Sequence, residues 1–195
     1  MRRNGFFAMI SRMRHITRWG LMRNSMRESL AEHSFETAVI AHAMAVIGVT
    51  RYQRTVDPGK VAAAALYHDA NETLTGDLPT PVKYYNPAIR EAYRAVEQAA
   101  TTRLISTLPE DLQGSYRGLM ECESRDPVTY AYIKAADKVS AWIKCVEEGK
   151  SGNLEFRNAE AQLSATIRAI DLPEVKDFMR DFASSYGYTL DELQL

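Results

Sequence analysis

Apolar residues recur at three- and four-residue steps along most of this 195-residue chain, which is the spacing of amphipathic α-helices. No stretch shows the strict alternation of a strand. Asp or Asn before Pro marks the start of three helices, and a capping box at Ser29 and Glu32 marks another. The pattern predicts an all-α fold with helices over residues 6–14, 29–49, 58–68, 87–108, 111–120, 127–149, 154–170 and 173–186.

Helix 29–49 is apolar on nearly every side beyond Ala38, a pattern typical of a central, buried helix. His42 lies in this apolar part, so we expect it in the core or behind a site. His33 falls in the first turn, close to the polar end of the helix, and is the better candidate for a metal ligand.

Composition and charge narrow the functional class. With 46% hydrophobic residues the chain is expected to form one globular domain over residues 1–195. Its 24 basic and 25 acidic residues give no overall field for a nucleic acid polymer or an anionic membrane. Since no apolar run suits a signal peptide or a membrane span, we expect a soluble, cytoplasmic protein. Cys122 and Cys145 lack a zinc-site spacing and are interpreted as reduced structural cysteines.

A His-Asp pair stands where helix 58–68 gives way to a loop. Neighbouring residues point about 100° apart on a helix, so His68 and Asp69 can share one ion only near the helix end. Imidazole and carboxylate together suit Mn, Fe, Co, Ni or Zn. The alternative is a hydrogen-bonded pair that only complements the helix dipole.

The loop after this pair favours a binding site. Gly76, Pro79 and Pro81 predict a fixed, non-helical path, and rigid loops often display binding groups. Its polar side chains are Glu72, Thr75, Asp77 and Thr80.

Two further features are ambiguous on pattern alone. Arg18 and Trp19 lie in the loop 15–26, where they are either a packed connection or a lip that offers a guanidinium to phosphate and a ring to a base or sugar. Asp137 lies in the middle of helix 127–149 between Lys134 and Lys138, the usual setting of a solvated surface carboxylate.

The arrangement H…HD…D over three long helices resembles the HD-domain metal-dependent phosphohydrolases. More closely, the chain is similar to bacterial 5'-deoxynucleotidases of the YfbR type over nearly its whole length. The matching segments are RWGLMRN, EHSFETAVIAHA, LYHDANETLTGDLPTPVKYYN and IKAADKVSAWIKCVEE. The resemblance implies a helical bundle formed by a single HD domain.

The same resemblance implies residue roles. One divalent ion, with cobalt, manganese or copper supporting activity, would be bound by His33, His68, Asp69 and Asp137. Glu72 would position or activate the attacking water, and Arg18 would orient the phosphate. The implied substrate contacts are Arg18, Trp19, His33, Asp69, Asp77, Leu78, Pro79, Thr80 and Asp137. One departure is Gly20, where relatives tend to have Pro, and a glycine loosens the loop.

The expected activity is metal-dependent hydrolysis of deoxyribonucleoside 5'-monophosphates by a homodimer. We expect selection against ribonucleotides, and broad base tolerance because no cluster of Asn, Gln or Arg is evident that would read a base edge. Two alternatives remain open: an HD-type hydrolase acting on a cyclic nucleotide, a triphosphate or another small phosphomonoester, and a helical binding module stabilised by a metal.

Overall fold

The structure, a computed structural model, describes residues 4–83 and 85–193. The ends of the predicted domain, residues 1–3 and 194–195, and Tyr84 of the central motif lie outside this part. Within the described residues every regular element is a helix, and one isolated β-bridge joins Thr17 to Ser29. The predicted all-α class is therefore confirmed.

Eleven α-helices are found in the described residues. They are α1 Phe6–Ile10, α2 Leu30–Tyr52, α3 Pro58–Leu66, α4 Glu72–Thr75, α5 Thr80–Lys83, α6 Pro87–Ile105, α7 Glu110–Met120, α8 Cys122–Arg125, α9 Pro127–Lys150, α10 Arg157–Ala169 and α11 Pro173–Phe182. Short 3₁₀ segments follow α1 and α11 and precede α10. None of these helices is long and apolar enough to cross a membrane.

The predicted helix starts are confirmed by their caps. Ser29 and Glu32 form a complete capping box at α2, and Asp57, Asn86 and Asp126 each accept backbone N–H groups at the starts of α3, α6 and α9. These side chains satisfy N–H groups that have no partner inside the helix. The caps thereby fix the first residues of α2 and α9. These two helices carry the candidate ligands His33 and Asp137.

The main core lies where α2 packs against α3 and α9. Met44, Ile133 and Ile143 are fully or almost fully buried there. Both cysteines are buried and free, as predicted. A second apolar cluster around Phe6 and Leu104 joins α1 to α6. Packing of the long helices thus brings the inner sides of α2 and α9 together.

One side of α2 does not fit the expectation of a helix buried all round. His42 is exposed, so its predicted place in the core was wrong. Phe35, Val39, Val46 and Val49 are also exposed, with Phe35 at 65%. With His42 they form a continuous outer stripe, because α3, α9 and α11 pack on the other sides of the helix. The apolar pattern could not distinguish this outer face from a core face.

The loop after His68 and Asp69 is more helical than predicted. Glu72 begins the single turn α4, and Thr80 and Pro81 begin α5. Proline is compatible with a first helical turn, since an N–H group there has no partner within the helix. The segment 76–79 alone keeps the non-helical path, with Gly76 at a φ of +75°.

Candidate active site

His33 and Asp137 meet between the two central helices. His33, in the first turn of α2, is fully buried, and its Nε2 lies 3.3 Å from Asp137 Oδ1. Asp137 is also buried, so the interpretation of a solvated surface group does not hold. Lys138 and Lys134 contact its other oxygen at 3.0 and 3.4 Å. Burial opposes ionisation of Asp137, but the charges of Lys134 and Lys138 hold its pKa well below the usual range.

His68 and Asp69 follow the end of α3 and face the same point. His68 Nε2 lies 3.0 Å from Asp69 Oδ2, and that oxygen lies 3.8 Å from His33 Nε2. Ligand atoms of His33, His68 and Asp69 all lie within 4.8 Å of one another. The described structure thus brings together three of the four predicted metal ligands, with the fourth, Asp137, touching His33.

The hydrogen bonding of His68 fits a cation at this point. Its Nδ1 lies 2.7 Å from the carbonyl oxygen of Ala65, which can only accept, so Nδ1 carries the proton. Nε2 is buried, and its 3.0 Å approach to Asp69 Oδ2 does not have the angles of a hydrogen bond, so within the described residues it has no hydrogen-bond partner. In the neutral ring this lone pair faces the Asp69 carboxylate, an arrangement that a positive charge stabilises. The donor set of two imidazoles and two carboxylates suits a divalent transition metal.

Glu72 lies beside this group and does not belong to it. The residue is 8% exposed, and its Oε2 is buried with no hydrogen-bond partner in the described structure. Burial and the Asp69 and Asp77 carboxylates raise the pKa of Glu72 to about 9. A divalent ion near Asp69 would oppose this rise, since a bound cation favours nearby carboxylates in their charged form.

Arg18 and Trp19 are held by one carboxylate that sequence reasoning missed. Glu28 Oε2 accepts from Arg18 Nη1 at 3.0 Å and from Trp19 Nε1 at 2.9 Å. The Arg18 backbone N–H also donates to the Glu28 carbonyl at 3.0 Å. Trp19 has a φ of +58°, a left-handed conformation that bulky residues rarely adopt. The two predicted substrate contacts are therefore fixed in one orientation relative to each other.

Hydrogen bonds hold the turn that contains Gly20. The turn is closed by a hydrogen bond of 2.9 Å from the Met22 N–H to the Trp19 carbonyl, and the Asn24 side chain donates to the same carbonyl at 3.2 Å. A Cβ at Gly20 would meet nothing within 4 Å. The backbone therefore does not require glycine at this position.

A cavity of about 450 Å³ opens beside the candidate ligands. Its lining includes His68, Asp69, Asn71, Gln98, Tyr130 and Lys134. Trp19 and the predicted sugar contacts Asp77, Leu78, Pro79 and Thr80 are not among the lining residues. Asp77 is half-buried near Arg18, whereas Thr80 is exposed. The amides of Asn71 and Gln98, far apart in sequence, could not be recognised as neighbours from the pattern.

Comparison with known proteins identifies the family. The family model described as 5'-deoxynucleotidase YfbR-like matches residues 5–186. The chain belongs to this YfbR-like family. A relative named 5'-deoxynucleotidase from Vibrio cholerae is 42% identical over 193 residues, covering 99% of this chain and 100% of the relative. Another 5'-deoxynucleotidase, from Photobacterium profundum, is 41% identical with the same coverage.

Solved structures place the YfbR-like fold among HD-domain proteins. An HD-domain phosphohydrolase from Listeria innocua matches with a TM-score of 0.80 and 26% identity, covering 93% of this chain and 87% of that one. A cyanophage S-2L HD phosphohydrolase, bound to dA and one catalytic Zn²⁺ ion, matches with a TM-score of 0.64 and 19% identity, covering 93% and 96%. The predicted HD-domain helical bundle is confirmed.

Proposed function

We propose that this chain hydrolyses deoxyribonucleoside 5'-monophosphates to a deoxynucleoside and phosphate, using one divalent ion bound by His33, His68, Asp69 and Asp137. The observation that carries the proposal is the convergence of the imidazoles of His33 and His68 on Asp69. Beside them, Glu72 Oε2 is buried without a hydrogen-bond partner among the described residues. The full-length similarity to relatives named 5'-deoxynucleotidase supports the substrate class.

Each residue has a separate task in the proposed reaction. A bound divalent ion supplies charge neutralisation for the phosphate and lowers the pKa of water. Glu72 accepts the proton of the attacking water, a general-base role that accelerates such reactions about 100- to 10,000-fold. Arg18 donates to the non-bridging phosphate oxygens as negative charge develops on them. The leaving group is the 5'-hydroxyl of the nucleoside.

The proposed selectivity rests on the sugar. If Trp19 and the segment from Asp77 to Thr80 close on C2', the extra hydroxyl of a ribonucleotide is buried without a partner. Such burial costs about 1–3 kcal/mol, or about 5- to 150-fold. We also propose broad base tolerance, because the proposed contacts are with the sugar and do not involve the base.

One alternative substrate class is weakened by the positions of the cations. Arg23 pairs with Glu155 on the surface, outside the cavity lining. The cations that do line the cavity are each paired with a carboxylate, Lys83 with Glu97, Arg94 with Glu123 and Lys134 with Asp137, so little positive charge is left for a triphosphate. A purely structural metal site would not need Glu72, whose buried carboxyl lies beside the ligands rather than among them. Turnover separates that alternative from the proposed enzyme.

We also propose that the chain acts as one HD domain.

Two copies of the chain are proposed to associate through the outer stripe of α2. Phe35, Val39, His42, Val46 and Val49 follow one another at alternating steps of four and three residues. That heptad spacing is the one by which two helices pack along a shared seam. The proposed partner is a second copy of this chain, and sedimentation of the wild type and of Val39→Glu tests it. A monomeric wild type would contradict it.

The decisive experiment measures phosphate release from dAMP and AMP in parallel, with metal-stripped protein and after addition of Co²⁺, Mn²⁺, Cu²⁺ or Zn²⁺. We expect release from dAMP only, and only with metal. Equal release from both substrates would discard the sugar selectivity and keep the phosphatase. No release from either, with metal bound, would contradict the proposed reaction.

A further inference from the structure

The two nitrogens of the His33 ring face different surroundings. Nε2 points to the candidate metal site, where Asp137 Oδ1 lies at 3.3 Å. Nδ1 points away from it and lies 3.0 Å from Ser140 Oγ, with Glu28 Oε1 farther off at 3.8 Å. Ser140 is fully buried on α9, three residues after Asp137. One face of α9 therefore contacts both sides of the same imidazole.

A third residue fixes the direction of these hydrogen bonds. Ser140 Oγ donates to Glu36 Oε2 at 2.6 Å. Burial raises the pKa of Glu36, but the hydrogen bond from Ser140 favours the ionised carboxylate, which can only accept. Because the hydroxyl has a single proton, its oxygen must accept from the ring, so Nδ1 carries the imidazole proton. Thr37 Oγ1 lies 3.5 Å from both ring nitrogens, a position over the ring that competes with neither in-plane bond. The lone pair of His33 is left on Nε2.

We propose that Ser140 and Glu36 are positioning residues that hold His33 in the tautomer and orientation required to bind the divalent ion through Nε2. The inference rests on the proposed function, since it assumes that His33 is a ligand. Hydrogen-bonded partners of metal-bound histidines orient the ring and increase its basicity, and their loss weakens metal affinity about 10- to 100-fold.

His68 and His33 both carry their proton on Nδ1, but different kinds of group hold that proton. His68 is held by a backbone carbonyl, that of Ala65, at 2.7 Å, which no substitution of that side chain removes. His33 depends on two side chains from two helices, Ser140 on α9 and Glu36 on α2. His33 is therefore the ligand whose support can be removed by mutation.

The test compares Co²⁺ affinity in the wild type, Ser140→Ala and Glu36→Gln, measured by competition with a chelator of known affinity and by the visible absorption of bound Co²⁺. We expect both variants to bind Co²⁺ about 10- to 100-fold more weakly. Ser34→Ala is the matched control, because Ser34 is a buried serine whose Oγ has no hydrogen-bond partner in the described structure. Its affinity should equal that of the wild type.

Two further measurements separate positioning from folding. The melting temperatures of the metal-free variants report any loss of structure, and at least Glu36→Gln should stay close to the wild type. The ¹⁵N chemical shifts of His33 report the tautomer directly: the proton should be on Nδ1 in the wild type and become shared with Nε2 in both variants.

The outcomes distinguish the two proposals. Wild-type affinity in both variants, or a proton on Nε2 of His33 in the wild type, would overturn the positioning role and leave the proposed function intact. A wild type that binds no Co²⁺ would overturn both.

Discussion

The candidate metal ligands and the loop that carries Arg18 and Trp19 are held in place by different forces. His33 and Asp137 lie on α2 and α9, whose contact is an apolar core containing Met44 and Ile143. Arg18 and Trp19 lie outside the α-helices. Their segment is fixed mainly by carboxylates.

Three carboxylates hold this loop. Glu28 binds the side chains of Arg18 and Trp19, and Glu155 binds Arg23. The buried carboxylate of Glu148 accepts from the backbone N–H groups of Ser25 and Met26. Lys144 pairs with Glu148 and donates to the Met26 carbonyl. Polar groups that satisfy one another give a loop a defined position without an apolar core of its own.

Because different forces hold the two regions, different changes should destabilise them. Apolar packing contains no titrating group, so the helix packing that positions the ligands should survive acidification that disturbs the loop. A charge left unpaired in a buried cluster is strongly destabilising, so the loop should lose its defined position when one member of an ion pair is removed. Substitutions on each side test this division.

Asp69→Asn should have the largest effect. Asp69 Oδ2 lies within 4 Å of the Nε2 atoms of both His33 and His68, so the substitution removes the charge nearest to both imidazoles. We expect metal binding and dAMP hydrolysis to fall together to background, measured by metal content after dialysis and by phosphate release. Asp111→Asn, on the exposed start of α7, is the control. Tight metal retention would argue against Asp69 as a ligand.

Glu72→Ala should separate binding from turnover. We expect metal content to match the wild type while the rate falls about 100- to 10,000-fold, because the general base is lost and the ligands are not. Metal content and kcat are measured on the same preparation. Full activity would remove the proposed role of Glu72, and loss of the metal would make it part of the ligand set.

Glu148→Gln should act on the loop and leave the ligands in place. Removing one partner of a buried ion pair costs about 3–5 kcal/mol of stability, measured by urea unfolding. Burial opposes ionisation of Glu148, but bonds from Lys144 and the Ser25 backbone lower its pKa to about 2 from the ordinary 4.5. Ionised Glu148 therefore stabilises the fold above pH 4.5, and this contribution is lost as the pH falls towards 2.

The stability gap between wild type and Glu148→Gln should accordingly narrow on acidification through that range. Glu147→Gln changes a neighbouring exposed carboxyl on the same helix and serves as the control. A gap that does not change with pH would show that the charge of Glu148 is not what fixes the loop.

Trp19→Leu should have the smallest effect, mainly on selectivity, because Glu28 loses one neutral donor and keeps its ion pair with Arg18. A smaller side chain leaves room for water beside the 2'-hydroxyl, so the ratio of AMP to dAMP hydrolysis should rise about 5- to 150-fold. Leu21→Ala alters an exposed residue of the same loop and should leave the ratio unchanged. An unaltered ratio in Trp19→Leu would place the sugar filter elsewhere.

The helices could be predicted because their signals are local. Each Asp-Pro or Asn-Pro start depends on one side chain and the N–H groups two or three residues later, so Asp57, Asn86 and Asp126 were identified correctly. The outer position of His42 depends instead on which sides of α2 are covered by α3, α9 and α11. No local pattern contains that information.

His33, His68 and Asp69 were identified as candidate ligands from the pattern and Asp137 from the resemblance, but the partners of these residues were not predicted. Asp137 beside two lysines looks like a surface residue, and only the packing of α9 against α2 brings it to His33. Glu28 gave no motif, since its hydrogen bonds to Arg18 and Trp19 arise when the loop folds back on the start of α2. Such contacts between distant segments require the tertiary structure.

The left-handed backbone at Trp19 has a consequence for engineering. A non-glycine residue in that conformation costs about 1–2 kcal/mol. Trp19→Gly would relieve this strain, but it would also remove the indole hydrogen bond to Glu28 and the edge contact of the ring with Phe156. Glycine would in addition have greater freedom in the unfolded chain. The strain at Trp19 is therefore offset by the contacts of its own side chain. A search for stabilising substitutions in this loop should leave Trp19 unchanged, because a smaller residue would lose those contacts together with the proposed contact to the sugar.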